Sequence, residues 1–276
     1  MTNMELYALA NARKGAEAAE KLDDVIFADA QNHNAIYRGK FLDIDNAELA
    51  RRVQNGFEDS YLGDYITRSI TTTLPDDTVK TETISLMIAA FNYYYNAGDT
   101  GLTSPHVILI PRTHGFATTA KMNETDTTEG GYLNSYMHQT VLPCYAASLK
   151  TALDSHILSH RTILANAVTA STPSMAGAGM TGASSDWEWT TVDLQLMNEV
   201  QIYGTTVWSS SAYDVGTDNR KLPVFDFVTP MQFGRDSFWL RSVASSTSFA
   251  LCHYYGSAYY VTASVTRSVC PLIVFG

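Results

Sequence analysis

Three cysteines in a chain of 276 residues, Cys144, Cys252 and Cys270, form no CxxC pair and no zinc-ligand spacing. So odd and scattered a set excludes a disulfide framework and a structural zinc site, and points to buried free thiols. Positive charge is also scarce: 18 Lys and Arg stand against 28 Asp and Glu, for a formal net charge of -10. The basic residues are dispersed, so attraction to nucleic acid or to an anionic membrane is not expected. No apolar run approaches the length of a membrane span and no signal-type apolar region follows Met1, which predicts a soluble protein made in the cytoplasm. Internal repeats, GxGxxG and P-loop patterns and the GxSxG nucleophile elbow are missing as well.

A last absence is local. From Leu240 to Gly276 there is no Asp, Glu, Asn, Gln, Lys, Met or Trp, although the rest of the chain uses all of them. A surface built from this segment has no carboxylate to serve as general acid or base. It holds instead Tyr254, Tyr255, Tyr259 and Tyr260, separated by Gly256, Ser257 and Ala258. Tyr offers stiff amphipathic contact area and Ser adaptable hydrogen bonding, the mixture of a contact surface. The same residues also suit an ordinary Tyr- and Thr-rich strand pair.

What is present elsewhere is enough for a core: 45% of the residues are hydrophobic and 11% aromatic. Residues 5–22 are rich in Ala, Leu, Glu and Lys, with Leu6, Leu9 and Leu22 as a thin apolar stripe, and predict a helix that packs on a partner chain or on its own domain. Residues 45–53 predict a second helix, capped by Asp45 and closing near Asn55-Gly56. Residues 1–55 are therefore read as a helical assembly or attachment element, and 56–276 as the main domain. There, residues 61–67, 81–91 and 105–111 read as strands. Residues 132–153 have helical spacing with a break expected at Pro143. Residues 192–204 read as a helix ending at Gly204, and 222–227 as a short strand. Residues 172–182 and 209–221 read as loops. Mostly antiparallel short strands with two interleaved helices make the fold class α+β.

Candidate chemistry is thin. His156 and His160 have the spacing of a metal pair on a helix but lack the HExxH glutamate. Asn123, Glu124, Asp126 and Glu129 put oxygen ligands in one loop, without EF-hand spacing. Asp186-Trp187-Glu188-Trp189 fits either a sugar site or a half-buried aromatic cluster. His253 adjoins Cys252, but neighbours on a strand face opposite ways. No catalytic residue, metal or cofactor is assigned.

Residues 238–242 (FWLRS), Ser248-Phe249-Ala250, Gly256, Ala258, Ala263-Ser264 and residues 269–273 (VCPLI) resemble the C-terminal frame of the variable proteins of diversity-generating retroelements in bacteriophages and bacteria. Upstream, Gly63-Asp64-Tyr65, residues 88–94, residues 156–161 and Leu196-Met197-Asn198-Glu199 resemble phage members, so the likeness runs from about residue 57 onward. The resemblance implies a C-type lectin fold related to formylglycine-generating enzymes, with a variable region at about 238–276 displayed on an exposed face. Diversification in that family rewrites template adenines and does not yield Trp, Lys, Glu, Gln or Met, which agrees with the missing residue types. Position by position it implies a ligand-binding set of Ser248, Leu251, His253, Tyr254, Tyr255, Ser257, Tyr259, Tyr260, Val261, Thr262, Val265 and Thr266. Cys270 and Ser268 depart from the frame, which has Arg and often Gly there.

The function so implied is a bacteriophage receptor-binding or adhesin-like virion protein on the tail or capsid surface. Its partners would be a protein or glycan receptor on a bacterial cell, other virion proteins and further copies of itself, with no nucleic acid. The alternatives are a head or tail decoration protein without a receptor and a formylglycine-generating-type enzyme.

Overall fold

The computed structural model describes Lys14 and residues 33–113, 115–169, 183–209, 216–229 and 236–276. The predicted helix at residues 5–22 and the small-residue loop at 172–182 lie outside the described residues.

Helix α1 (Asn46–Gln54) starts where Asp45 accepts a hydrogen bond from the Glu48 N–H, and it ends in Arg51 and Arg52, charges that suit the C-terminal end of the helix dipole. Its buried Leu49 and Val53, one turn apart, pack into the main core. Asn46 bonds the carbonyl of Ala152, and Tyr37 and Phe41 bridge Leu62 and Tyr65. Leu42, Leu49, Ala50 and Val53 belong to one apolar core with residues of the main domain.

One five-stranded sheet has the order β1 (Tyr65–Thr73), β2 (Val79–Phe91), β3 (Val107–Pro111), β12 (Pro271–Phe275), β7 (Leu194–Leu196), with every pair antiparallel. The second has the order β10 (Ala258–Thr262), β9 (Ser248–Cys252), β8 (Phe238–Val243), β11 (Arg267–Ser268), β4 (Thr119–Ala120). Its pairs are antiparallel except the contact of β11 with β8. Strands β5 (His160–Val168) and β6 (Ser184–Val192) form a separate antiparallel pair. The architecture is α+β with mostly antiparallel strands and few helices.

The central strands are buried on both faces. Leu109, Ile273, Phe249 and Leu251 enter one apolar cluster, whereas Ile108, Ile110, Leu272, Ala250 and Cys252 enter another. Successive residues of a strand alternate between faces, so the runs VILIP and PLIVF are continuous in sequence because each feeds two cores. The chain's last strand is thus a central one.

Three local expectations change. Residues 192–204 are not one helix: β6 ends at Val192, Leu194–Leu196 pairs with β12, and only Glu199–Tyr203 (α3) is helical. Asn198 and Gln201 form a reciprocal capping box that starts α3, and Gly204 at φ +77° ends it. Residues 223–226 form a 3₁₀ turn instead of a strand, with Pro223 in its first turn, where a missing N–H costs nothing. Of the helix expected over 132–153 only Met137–Ala152 forms, and Pro143 produces no break in it. A π turn (Met137–Val141) runs into α2 (Leu142–Ala152), so Pro143 falls in the first turn of α2. Among the described residues no helix is long and apolar enough to cross a membrane.

Candidate ligand-binding surface

Strands β9 and β10 pair in unbroken register, from Ala258 opposite Cys252 to Thr262 opposite Ser248. Between them the chain reverses over His253-Tyr254-Tyr255-Gly256. The His253 N–H donates to Ser257 O (2.9 Å), the Gly256 N–H donates to His253 O (2.6 Å), and Gly256 adopts φ +84°. Glycine is favoured there because L side chains rarely take that angle. The turn pushes the rings outward. His253 lies between Tyr254, Tyr255 and Tyr259 at centroid distances of 4.1, 5.1 and 5.6 Å. Tyr255 is 67% exposed, Tyr259 52% and Tyr254 39%. A hydrogen bond with Tyr255 raises the Tyr254 phenol above its ordinary range.

The frame beneath is fixed by contacts from distant parts of the chain. The Trp239 indole donates to Ala120 O (2.8 Å). Met122 and Asn123 both donate to Ala263 O, Thr128 bonds Ser245 and Ser246, and Asp126 accepts from Ser264 N (3.1 Å) and its hydroxyl (2.5 Å). Those Ser264 hydrogen bonds hold the Asp126 carboxyl below its usual range. The loop at 122–131 therefore braces the chain on either side of β9 and β10. Its oxygen-bearing side chains diverge: Asn123 turns inward to Thr127 and Tyr136, and Glu124 pairs with Lys121.

Against this geometry the twelve implied display positions separate. Tyr254, Tyr255, Ser257, Tyr259 and Thr266 are exposed, and His253, Val265 and Thr262 are half-buried. Tyr260 packs edge-on against Trp208 at 4.6 Å, and Val261 lies against the main core. Ser248 and Leu251, by contrast, are buried, at 3% and 1% exposure. Strand β9 has a core on each side, and Leu251 sits in the larger one.

Four neighbours of the surface escaped sequence reasoning. Trp208, which supports Tyr260, is held by the buried Glu199 carboxylate, which accepts from the N–H groups of Val207, Trp208 and Ser209 at 3.0–3.1 Å. Burial raises the Glu199 pKa, against those hydrogen bonds. Tyr203 from α3, Phe225 from the 3₁₀ turn and Lys221 just before that turn line a groove of about 350 Å³ that opens beside Tyr255 and Gly256. The only sequence signal for this neighbourhood was the Leu196–Glu199 match; nothing in spacing marked Phe225.

Behind the surface lies a sealed polar cluster. Arg241 Nη2 meets Asp218 Oδ2 at 2.7 Å, and both side chains are buried. The Tyr94 hydroxyl donates to Asp218 Oδ1 (2.5 Å), and Gln195 Nε2 donates to Asp218 (3.1 Å) and Tyr94 (2.7 Å). His160 stacks on Tyr94 at 4.2 Å, and burial lowers its pKa to about 4. His156 points elsewhere, toward the carbonyl of Gly276, so the two histidines do not converge. Among the described residues no group of three or more His, Cys, Asp or Glu is placed to hold a metal.

The remaining sequence candidates also separate. Trp189 lies under Arg161, itself paired with Asp99, and Trp187 packs against the main core. Cys252 and Cys270 are buried in the second core, which pushes the Cys252 thiol up to about 11 and Cys270 higher; Cys144 is half-buried. No family model, curated protein or solved structure matches this chain.

Proposed function

We propose that this chain is a bacteriophage receptor-binding protein, in which a C-type lectin scaffold carries a diversified surface centred on the β9–β10 turn. The observation that carries the reading is the exposed cluster of Tyr254, Tyr255 and Tyr259 around His253 on a braced hairpin. Large rings ordinarily enter a core, and an exposed group of them beside an apolar groove marks a contact site. The lack of any Asp or Glu side chain in residues 240–276 favours binding over proton transfer there. Many copies on a virion would multiply a modest affinity per site. The enzyme alternative has less support, because a reactive thiol needs an accessible thiolate, and Cys252 and Cys270 are buried with raised pKa values.

Sequencing independent isolates of one lineage tests the diversification. Substitutions are expected to gather at His253, Tyr254, Tyr255, Ser257, Tyr259 and Thr266, while Phe249, Leu251 and Cys252 stay constant because they fill the cores. Substitutions spread evenly along the chain would reject a diversified surface and favour a plain decoration protein.

A further inference from the structure

Resting on that reading, the backbone of β10 narrows the class of ligand. In an antiparallel pair, alternate residues turn their N–H and C=O toward the partner strand and the residues between turn theirs away. The bonds from His253 N to Ser257 O and from Ala263 N to Thr247 O fix the parity of this pair. With the register above, Ser257, Tyr259, Val261 and Ala263 face β9, so Ala258, Tyr260 and Thr262 present their backbone groups to the outside. Thr262 O accepts from Val265 N, but among the described residues no hydrogen bond uses the outward groups of Ala258 or Tyr260.

Strand β10 is the end strand of its sheet, and at the opposite end stands β4, only 2 residues long. Open edges are usually blunted by a charge, a proline, a bulge or a very short strand. The 5 residues of β10, AYYVT, have none of these, and their register runs without a shift. Beside this unprotected edge stand the exposed rings of Tyr255 and Tyr259.

We infer that the open edge of β10 receives an extended segment of a protein ligand as an added strand, with the exposed tyrosines gripping its side chains. Outward N–H and C=O groups on alternate residues match the backbone of an extended peptide, and this mode of recognition takes affinity from the main chain and specificity from neighbouring side chains. A main-chain contact also tolerates rewriting of the side chains around it. A second copy of the chain is a poorer occupant, because each copy carries a net charge of -10 and like charges repel.

The test starts from a displayed library of short random peptides selected on the full chain, with each selected peptide assayed against two variants. Ala258→Pro removes an outward N–H and leaves the β9 ladder intact, as proline is tolerated on the open side of an edge strand. It is expected to weaken peptide binding about tenfold or more, the loss of one backbone hydrogen bond and close approach of the strand. Hydrogen exchange on the unmodified chain gives an answer independent of that variant's folding: the amides of Ala258 and Tyr260 should exchange freely alone and be protected in the complex. Recovery of no peptide overturns the inference, as does self-association through β10 abolished by Ala258→Pro. Peptides that bind Ala258→Pro normally and leave both amides unprotected also overturn it. If those same peptides are lost with Tyr254→Ala/Tyr255→Ala, the display surface survives and only edge docking fails.

Discussion

Replacing Asp218 by Ala is expected to be the most damaging single change in the molecule, although Asp218 lies in a stretch that reads as loop. The substitution takes the Asp218 carboxylate away from the Arg241 guanidinium, which is 2% exposed, and removes the acceptor of Tyr94 and Gln195. Breaking a buried pair by removing one partner costs about 3–5 kcal/mol. For a domain of this size that is a fall in melting temperature on the order of ten degrees. Replacing both partners with apolar residues of similar volume, Asp218→Leu with Arg241→Met, should recover much of the loss, since apolar replacement of a whole buried ion pair is often neutral or stabilising. Thermal denaturation of the single and double variants checks this. A single variant that melts within a degree or two of the parent would remove the cluster from the account of how the display sheet is held.

Acid should destabilise the fold between about pH 6.5 and 4. Burial lowers the pKa of His160 and of His138 to about 4, from an ordinary value near 6.5. In that window the unfolded chain takes up protons that the folded chain refuses, so stability falls as pH falls. It is fully present above pH 6.5, and the loss is complete once both states are protonated below about 4. A depression of this size corresponds to about 3 kcal/mol for each histidine. His106, also lowered by burial, acts in the same direction, whereas Glu199, with its raised pKa, acts in the opposite one. His160→Phe keeps a ring on Tyr94 and removes the titrating group, so the slope of unfolding free energy against pH should drop by about half. Chemical denaturation at several pH values measures it, and an unchanged slope would contradict the assignment to His160.

The parts of this fold legible in the sequence are those decided locally. Asp45 with Glu48 marks the start of α1, and the apolar runs at 81–91 and 107–111 mark strands that sit centrally. Residues 192–204 failed because Val192, Leu196 and Val200 fall at helical steps by coincidence. The Asn198–Gln201 capping box, three residues apart, already marked the true start, and β12, remote in sequence, made Leu194–Leu196 a strand. The burial of Ser248 and Leu251 was not legible for a similar reason. With a core on both faces of β9, neither alternation nor composition separates a display position from a packing one. The Arg241–Asp218 pair was illegible because its members are brought together only by tertiary structure. The tyrosine turn was legible because it is local: a Tyr-Tyr-Gly turn in a segment free of carboxylates.

The most direct measurement is a paired one on the variant Tyr254→Ala/Tyr255→Ala/Tyr259→Ala. These rings are exposed, so their removal should leave the melting temperature within a degree or two of the parent, as surface substitutions generally do. Retention of the purified protein on intact host cells should be lost in the same variant, since aromatic anchors of this kind dominate binding energy. Undiminished retention on cells, or a melting temperature that falls by many degrees, would contradict a ligand-binding surface at the β9–β10 turn.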